Sequence, residues 1–199
     1  LLGTRLEHRH VFLTAGCAVI ARQVLRQGRQ VFLPLWGDAI GLDVAQIGLV
    51  YGLSSLLDAA LFYPIGSLMD RWGRKWASVP SLVTLALGLL VLPVTTEIYG
   101  YVCVALLTGV GNGLGAGIVQ VLGADFAPPE RRGEFLGVWR FIGDAGNAGG
   151  PFVVSFVVGV ASLGLASIIS GGLGLAGAVV MLLWVPETLR RRTGRAGKV

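Results

Sequence analysis

Gly66-Ser67-Leu68-Met69-Asp70-Arg71-Trp72-Gly73-Arg74-Lys75 is a short polar and basic stretch set between two long apolar runs. Residues 45–67 before it and 76–96 after it are each long enough to cross the ~30 Å hydrocarbon core of a bilayer, which takes about 20 helical residues. A hairpin in a soluble domain has no use for runs of that length. The stretch therefore reads as a loop between two membrane spans.

Outward from this loop the same pattern repeats. Apolar runs at residues 11–35, 45–67, 76–96, 98–122, 136–160 and 163–185 give six candidate spans, and residues 186–199 form a basic tail. The segments between them are short and hold Gly, Pro and charges, as expected when each span must close its backbone hydrogen bonds internally. A hydrophobic content of 54%, only 14% charged residues, 31 glycines and a mean hydropathy of +0.74 all point away from a soluble domain. The expected fold class is all-α, a polytopic six-helix membrane bundle in contact with lipid. The chain starts at Leu1 without a charged segment, apolar core and cleavage site in order, so no signal peptide is expected and the chain reads as a fragment.

The net charge of +5 does not indicate nucleic acid, because the basic residues are not gathered on one soluble face. They sort by loop instead. Arg5, Arg9, Arg71, Arg74, Lys75, Arg131, Arg132, Arg190, Arg191, Arg192, Arg195 and Lys198 are 12 of the 16 Lys and Arg, and all lie at the ends or in alternate loops. The remaining loops carry only Asp38, Asp43 and Glu97. The positive-inside rule then places both termini and the loops near residues 70 and 130 in the cytoplasm, and a plasma (inner) membrane is the expected location.

The other four basic residues, Arg22, Arg26, Arg29 and Arg140, fall inside spans, as do Asp58 and Asp144. Each costs at least ~2.5 kcal/mol at the centre of a lipid-facing helix, so each must face something else. Arg22, Arg26 and Arg29 share one face of the first span, with Gln23, Gln27 and Gln30 beside them. The second span offers Asp58, the fourth Asn112 and Gln120, and the fifth Arg140, Asp144 and Asn147, whereas the third and sixth hold nothing more polar than Ser or Thr. Polar, polar, apolar, twice over, is the pattern of a three-plus-three inverted repeat whose first two helices line an aqueous cavity. Arg140 and Asp144 are spaced to pair on one helix face. Asp58 has no partner in its own span, and depth suggests Arg22, either as a proton-coupling pair or as a fixed bridge between helices.

In the fourth span Gly109, Gly113 and Gly117 recur on one face and Gly111 with Gly115 on another, which permits close helix approach. Gly111 to Ala116 also fits G-x-G-x-x-A, but a dinucleotide site needs a preceding strand, so no nucleotide cofactor is expected. Gly146, Gly149, Gly150 and Pro151 predict a tightly packed, bent stretch in the fifth span. Cys17 and Cys103 lack metal-ligand spacing and read as small packing residues, and His8 and His10 lack further ligands, so no metal site is expected. No Ser-His-Asp, HExxH or Walker-type constellation points to an enzyme or an ATP-driven pump.

Gly66-x-Leu68-x-Asp70-Arg71-x-Gly73-Arg74-Lys75 resembles the signature loop between the second and third helices of each half of major facilitator superfamily (MFS) transporters. The resemblance implies a gating latch at Gly66, Asp70, Arg71, Gly73, Arg74 and Lys75. In it Gly66 permits helix contact, Asp70 faces a helix end or an Arg, and Arg74 and Lys75 meet anionic headgroups. Residues 128–133 resemble the family's link between the fourth and fifth helices. Gly146-x-x-x-Gly150-Pro151 is similar to the start of its antiporter motif, from which Val154 and Ser155 depart where paired glycines stand. Ala105, where an amino-terminal half carries an Arg, and Pro186-Glu187-Thr188 before Arg190 to Arg192 resemble the carboxyl-terminal six-helix half.

The resemblance implies secondary active transport by alternating access, with an amino-terminal half or a second copy as partner. The expected activity is proton-coupled efflux of a drug-like or metabolite substrate along Arg22, Arg26, Asp58, Arg140 and Asp144, with Gln23, Gln27, Asn112, Gln120 and Asn147 lining the path. Uptake of an organic anion by the arginine face is one alternative; a half-transporter acting as a membrane scaffold is the other.

Overall fold

The computed structural model describes residues 9–160 and 162–185, and the basic tail at 186–199 lies outside them. Among the described residues all regular structure is helical. The helices are α1 (Arg9–Ala39), α2 (Val44–Trp72), α3 (Arg74–Val91), α4 (Ile98–Leu114), α5 (Ile118–Phe126), α6 (Arg132–Val160) and α7 (Leu163–Leu183), with 3-10 turns at Leu92–Val94 and Pro129–Arg131. Five stretches, Val44–Trp72, Arg74–Val94, Ile98–Phe126, Pro129–Gly159 and Leu163–Leu183, are long and apolar enough to cross a membrane. α1 has the length, but its arginines and glutamines dilute its hydropathy.

The helices outrun the apolar runs that predicted them. α2 continues through Gly66, Asp70 and Arg71 to Trp72, so the polar stretch is mostly helix and Gly73 alone turns the chain. Apolar runs mark where lipid ends, whereas backbone hydrogen bonding continues into the polar interface. At its other end α2 starts on a capping box: Asp43 accepts from Gln46 N at 2.8 Å and Gln46 accepts from Asp43 N at 3.1 Å. Such a cap contributes about 1 kcal/mol.

The fourth predicted span is not one helix. α4 stops at Leu114, residues 115–117 form a turn, and α5 resumes at Ile118, with Gly117 at φ +74°. Five glycines within nine residues explain the break, since each weakens a helix by about 1 kcal/mol relative to Ala. They are retained because neighbours press on them. A Cβ at Gly109 would lie 2.6 Å from Ser54 O, one at Gly113 2.9 Å from Leu61 Cβ, and one at Gly111 2.8 Å from Leu85 N. The two glycine faces thus meet α2 and α3 respectively, and Gly117, in open space, serves the turn instead. α6 runs unbroken through Pro151. Cys17 and Cys103 are exposed free thiols, not packing residues, because both sit on outward faces of α1 and α4.

Helix packing carries the repeat that polarity suggested. The principal contacts are α1 with α6 and α7, α2 with α4, and α3 with α4 and α7. Exchanging the first three spans for the last three turns α1–α6 into α4–α2 and α1–α7 into α4–α3, and leaves α3–α7 in place. The network is therefore unchanged by the swap, as an inverted repeat requires. α3 and α7 form the apolar centre, where Leu82, Leu85, Leu89, Ala166 and Ala178 are buried and Ser167 Oγ donates to Leu89 O at 2.6 Å. That centre holds the polar helices α1, α2, α4, α5 and α6 around a common space.

Candidate functional site

That space is a polar cavity of about 1050 Å3. Helical spacing sets its walls: Arg22, Gln23 and Arg26 from α1, Ser55, Asp58 and Phe62 from α2, and Leu136, Trp139, Arg140, Gly143, Asp144 and Asn147 from α6. Asn112 of α4, Ala116 and Gly117 of the break, and Gln120 of α5 complete it. Nine of the ten residues expected on or along the path line the cavity, and Arg29 and Gln30 of the same α1 stripe lie outside its lining. Gln27 is the tenth, and it braces the wall by donating from Nε2 to Asn147 Oδ1 at 3.1 Å.

The pairing differs from the expected one. Asp58 is not bonded to Arg22; Oδ2 accepts from Asn112 Nδ2 at 2.6 Å and stands 3.9 Å from Arg29 Nη1. Arg29 also donates from Nη2 to Ser54 Oγ at 2.6 Å and lies 5.4 Å from the centroid of the Tyr51 ring. Ser54 Oγ passes the chain on to Ala105 O. Arg22 and Arg29 are seven residues, about 10 Å, apart along α1, and depth read from the apolar runs points to Arg22. The acceptors decide. The end of α4 leaves carbonyls without helical donors, and Arg22 Nη2 reaches Asn112 O at 3.3 Å there, while Nη1 lies 3.4 Å from Gln23 Oε1. Arg22 and Arg29 are 6% and 3% exposed, and Nε of each has no partner.

Arg140 Nε and Asp144 Oδ2 are 3.6 Å apart, as their spacing predicted, with side chains 85% and 63% exposed. This pair opens to the cavity side of α6, whose other edge is closed: a Cβ at Gly146 would come 3.0 Å from Gln23 Cβ and one at Gly150 2.9 Å from Gln27 Cβ. Trp139 fixes the α5–α6 corner by donating from Nε1 to Val119 O at 2.7 Å.

At the end of the bundle marked by Gly73 (φ 110°), Arg74 gathers three partners. Its Nε lies 2.8 Å from Asp125 Oδ2, and its Nη1 lies 3.0 Å from Met69 O and 3.4 Å from Asp70 Oδ1. Lys75 Nζ donates to Leu182 O at 2.8 Å, at the carbonyl end of α7. Both side chains are thus committed to protein acceptors rather than held out for headgroups. Arg71 is exposed, and Trp72 and Trp76 meet edge to face at 4.7 Å on the surface. Among the described residues nothing outside its own helix turn lies within 4 Å of a Cβ built on Gly66, so its expected helix contact is not made with them. Asp125 was missed from sequence, although an acid at the far end of the fourth span faces the basic loop by topology. Tyr51 and Ser54 gave no signal beyond lying two turns and one turn before Asp58.

The Major Facilitator Superfamily profile matches residues 11–198. The chain belongs to this superfamily. As a superfamily member with five apolar helices of spanning length it is an integral membrane protein. It is 31% identical over 160 residues to the 4-hydroxybenzoate transporter PcaK of Pseudomonas putida, covering 79% of this chain and 35% of the relative. It is 26% identical over 160 residues to the multi-drug resistance efflux pump PmrA of Streptococcus pneumoniae, covering 78% and 40%. An MFS-type transporter of Mycobacterium tuberculosis is 26% identical over 194 residues, 94% of this chain and 45% of that one. The chain spans less than half the length of these relatives.

Proposed function

We propose that this bundle is one half of a secondary active transporter that moves a small molecule by alternating access, in proton-coupled efflux. The observation that carries the reading is the cavity: arginines and acids placed within an apolar helical bundle have no structural need to share one open space, but a substrate path does. The other bundle, an amino-terminal half or a second copy, would close the open side where Arg140 and Asp144 stand. Both termini and the Arg74 corner lie in the cytoplasm on this reading, in line with the partition of basic loop residues and a plasma-membrane location. Arg74, clamped between α2 and α5, acts as a latch that must release as the helices rock.

Asp58 is the coupling acid. It lies between an enclosed cation, Arg29, and the cavity, so rocking of α1 against α2 would lengthen or shorten its contact with that cation. The efflux pump among the relatives supports the direction. The 4-hydroxybenzoate transporter supports a second reading, uptake of an organic anion, which the arginines of the cavity also favour.

The test is flux in liposomes containing the chain assembled with the bundle that closes its open side, with an imposed proton gradient and a panel of dyes and aromatic acids. Gradient-driven movement of at least one member is the expected result. No movement of any, from a well-folded assembly, would replace transport with the scaffold reading.

A further inference from the structure

The arginine stripe of α1 divides in the folded protein. Arg29 turns to Ser54 and Asp58, whereas Arg22 and Arg26 face the cavity beside the break between α4 and α5. Four turn bonds close that break, from Gly115 N to Asn112 O, Ala116 N to Gly113 O, Ile118 N to Gly115 O and Val121 N to Gly117 O. Among the described residues, the amides of Gly117, Val119 and Gln120 have no acceptor. These amides are the amino terminus of a nine-residue helix, no side chain caps them, and Gly117, Val119 and Gln120 all line the cavity. Such an end carries partial positive charge and aims N–H groups at whatever stands before it.

A second observation stands independently of the helix end. Arg22 lines the same cavity, is 6% exposed, and its Nε has no partner. Its guanidinium lies against the break itself, so that any Cβ on Gly115 would collide with it. Arg26 carries no ion pair among the described residues, and both acids of the cavity are engaged, Asp58 by Asn112 and Arg29, Asp144 by Arg140. The break is thus a cationic corner with unfilled donors in an otherwise neutralised cavity. Beyond it lie apolar surfaces of Phe62, Leu136 and Trp139.

We infer that the break between α4 and α5, with Arg22 and Arg26, binds the carboxylate of an amphipathic organic acid whose apolar body lies against Phe62, Leu136 and Trp139. This rests on the transporter reading for its purpose and names the substrate class of the same cavity. The guanidinium and the free amides supply charge-assisted donors to one anionic head. A neutral head leaves Arg22 unanswered, and a cationic head is repelled.

The experiment is calorimetric titration of the purified chain in uncharged detergent with benzoate, benzamide and benzylamine. Benzoate should bind at least tenfold tighter than benzamide, and benzylamine should not bind. Arg22→Gln should weaken benzoate at least tenfold, Arg22→Lys less, and Arg131→Gln, at an exposed arginine paired with Glu134 away from the cavity, under twofold, with melting curves confirming folded protein. Should Arg22→Gln not fold, the wild-type preference and Arg26→Gln, weakened severalfold, decide instead. No benzoate binding, equal binding of benzamide, or native affinity in a folded Arg22→Gln would overturn the inference. Benzoate binding without flux would keep this site and remove the transporter reading; flux without benzoate preference would do the reverse.

Discussion

Asp58 and Asp144 occupy corresponding places in the two helix triplets, each roughly three to four turns into the second helix of its own triplet. They are held in opposite ways. Asp58 accepts from Asn112 at 2.6 Å and faces a buried arginine, whereas Asp144, among the described residues, has its neighbour Arg140 alone at 3.6 Å and remains 63% exposed. The crossing helices make the difference. Gly109 and Gly113 bring α4 so close to α2 that Asn112 reaches the acid, while α1 presents the longer Gln23 and Gln27 to α6, and Gln27 takes Asn147 instead. A symmetric frame can therefore close one carboxylate and leave its counterpart open, and the two acids are assigned different work on that basis.

The largest expected effect comes from prising the close crossing apart. Gly109→Val places branched carbon against Ser54 O and should destabilise the bundle by about 1–3 kcal/mol or more, read as the melting temperature in detergent. Gly149→Val, where nothing lies within 4 Å, should melt near the wild type. Equal losses in the two would remove close packing as the cause.

A double-mutant cycle measures the asymmetry directly. Arg29→Gln with Asp58→Asn should show a coupling of about 1–2 kcal/mol, within the range for contacting residues in one network. Arg140→Gln with Asp144→Asn should show about 0–0.5 kcal/mol, because the exposed pair is screened by water. A stronger coupling in the second cycle would reverse the assignment. Below the Arg29–Asp58 coupling in size, Gln27→Ala should cost about 0.5–1 kcal/mol, the ordinary worth of one neutral hydrogen bond, and leave that coupling unchanged. A loss of that coupling would show that the two triplets do not act separately.

Much of this was legible in residue types. The six apolar runs, the alternate basic loops and the polar-polar-apolar rhythm follow from what lipid tolerates, and they anticipated the bundle, its repeat and most of the polar side chains of the cavity, though none of its apolar ones. The pairing of Asp58 was not legible, because depth pointed to Arg22, whereas the helix break brings Arg22 to Asn112 O, a carbonyl that also accepts from Gly115 N, and leaves the acid to Arg29. The break itself was half visible: five closely spaced glycines announced close packing, but only the backbone shows that Gly117 turns rather than packs. Arg74 was named for the right loop and the wrong partner, since Asp125 lies 51 residues away in sequence and nothing local points to it.

The central claim is that the closed acid couples protons and the open one does not. Its most direct test is gradient-driven flux in liposomes, comparing Asp58→Asn with Asp144→Asn on the transported members of the panel. The account predicts that Asp58→Asn abolishes accumulation against a gradient while the protein still folds, and that Asp144→Asn retains most of it. Accumulation at the native rate by Asp58→Asn, or its loss only in Asp144→Asn, would contradict it.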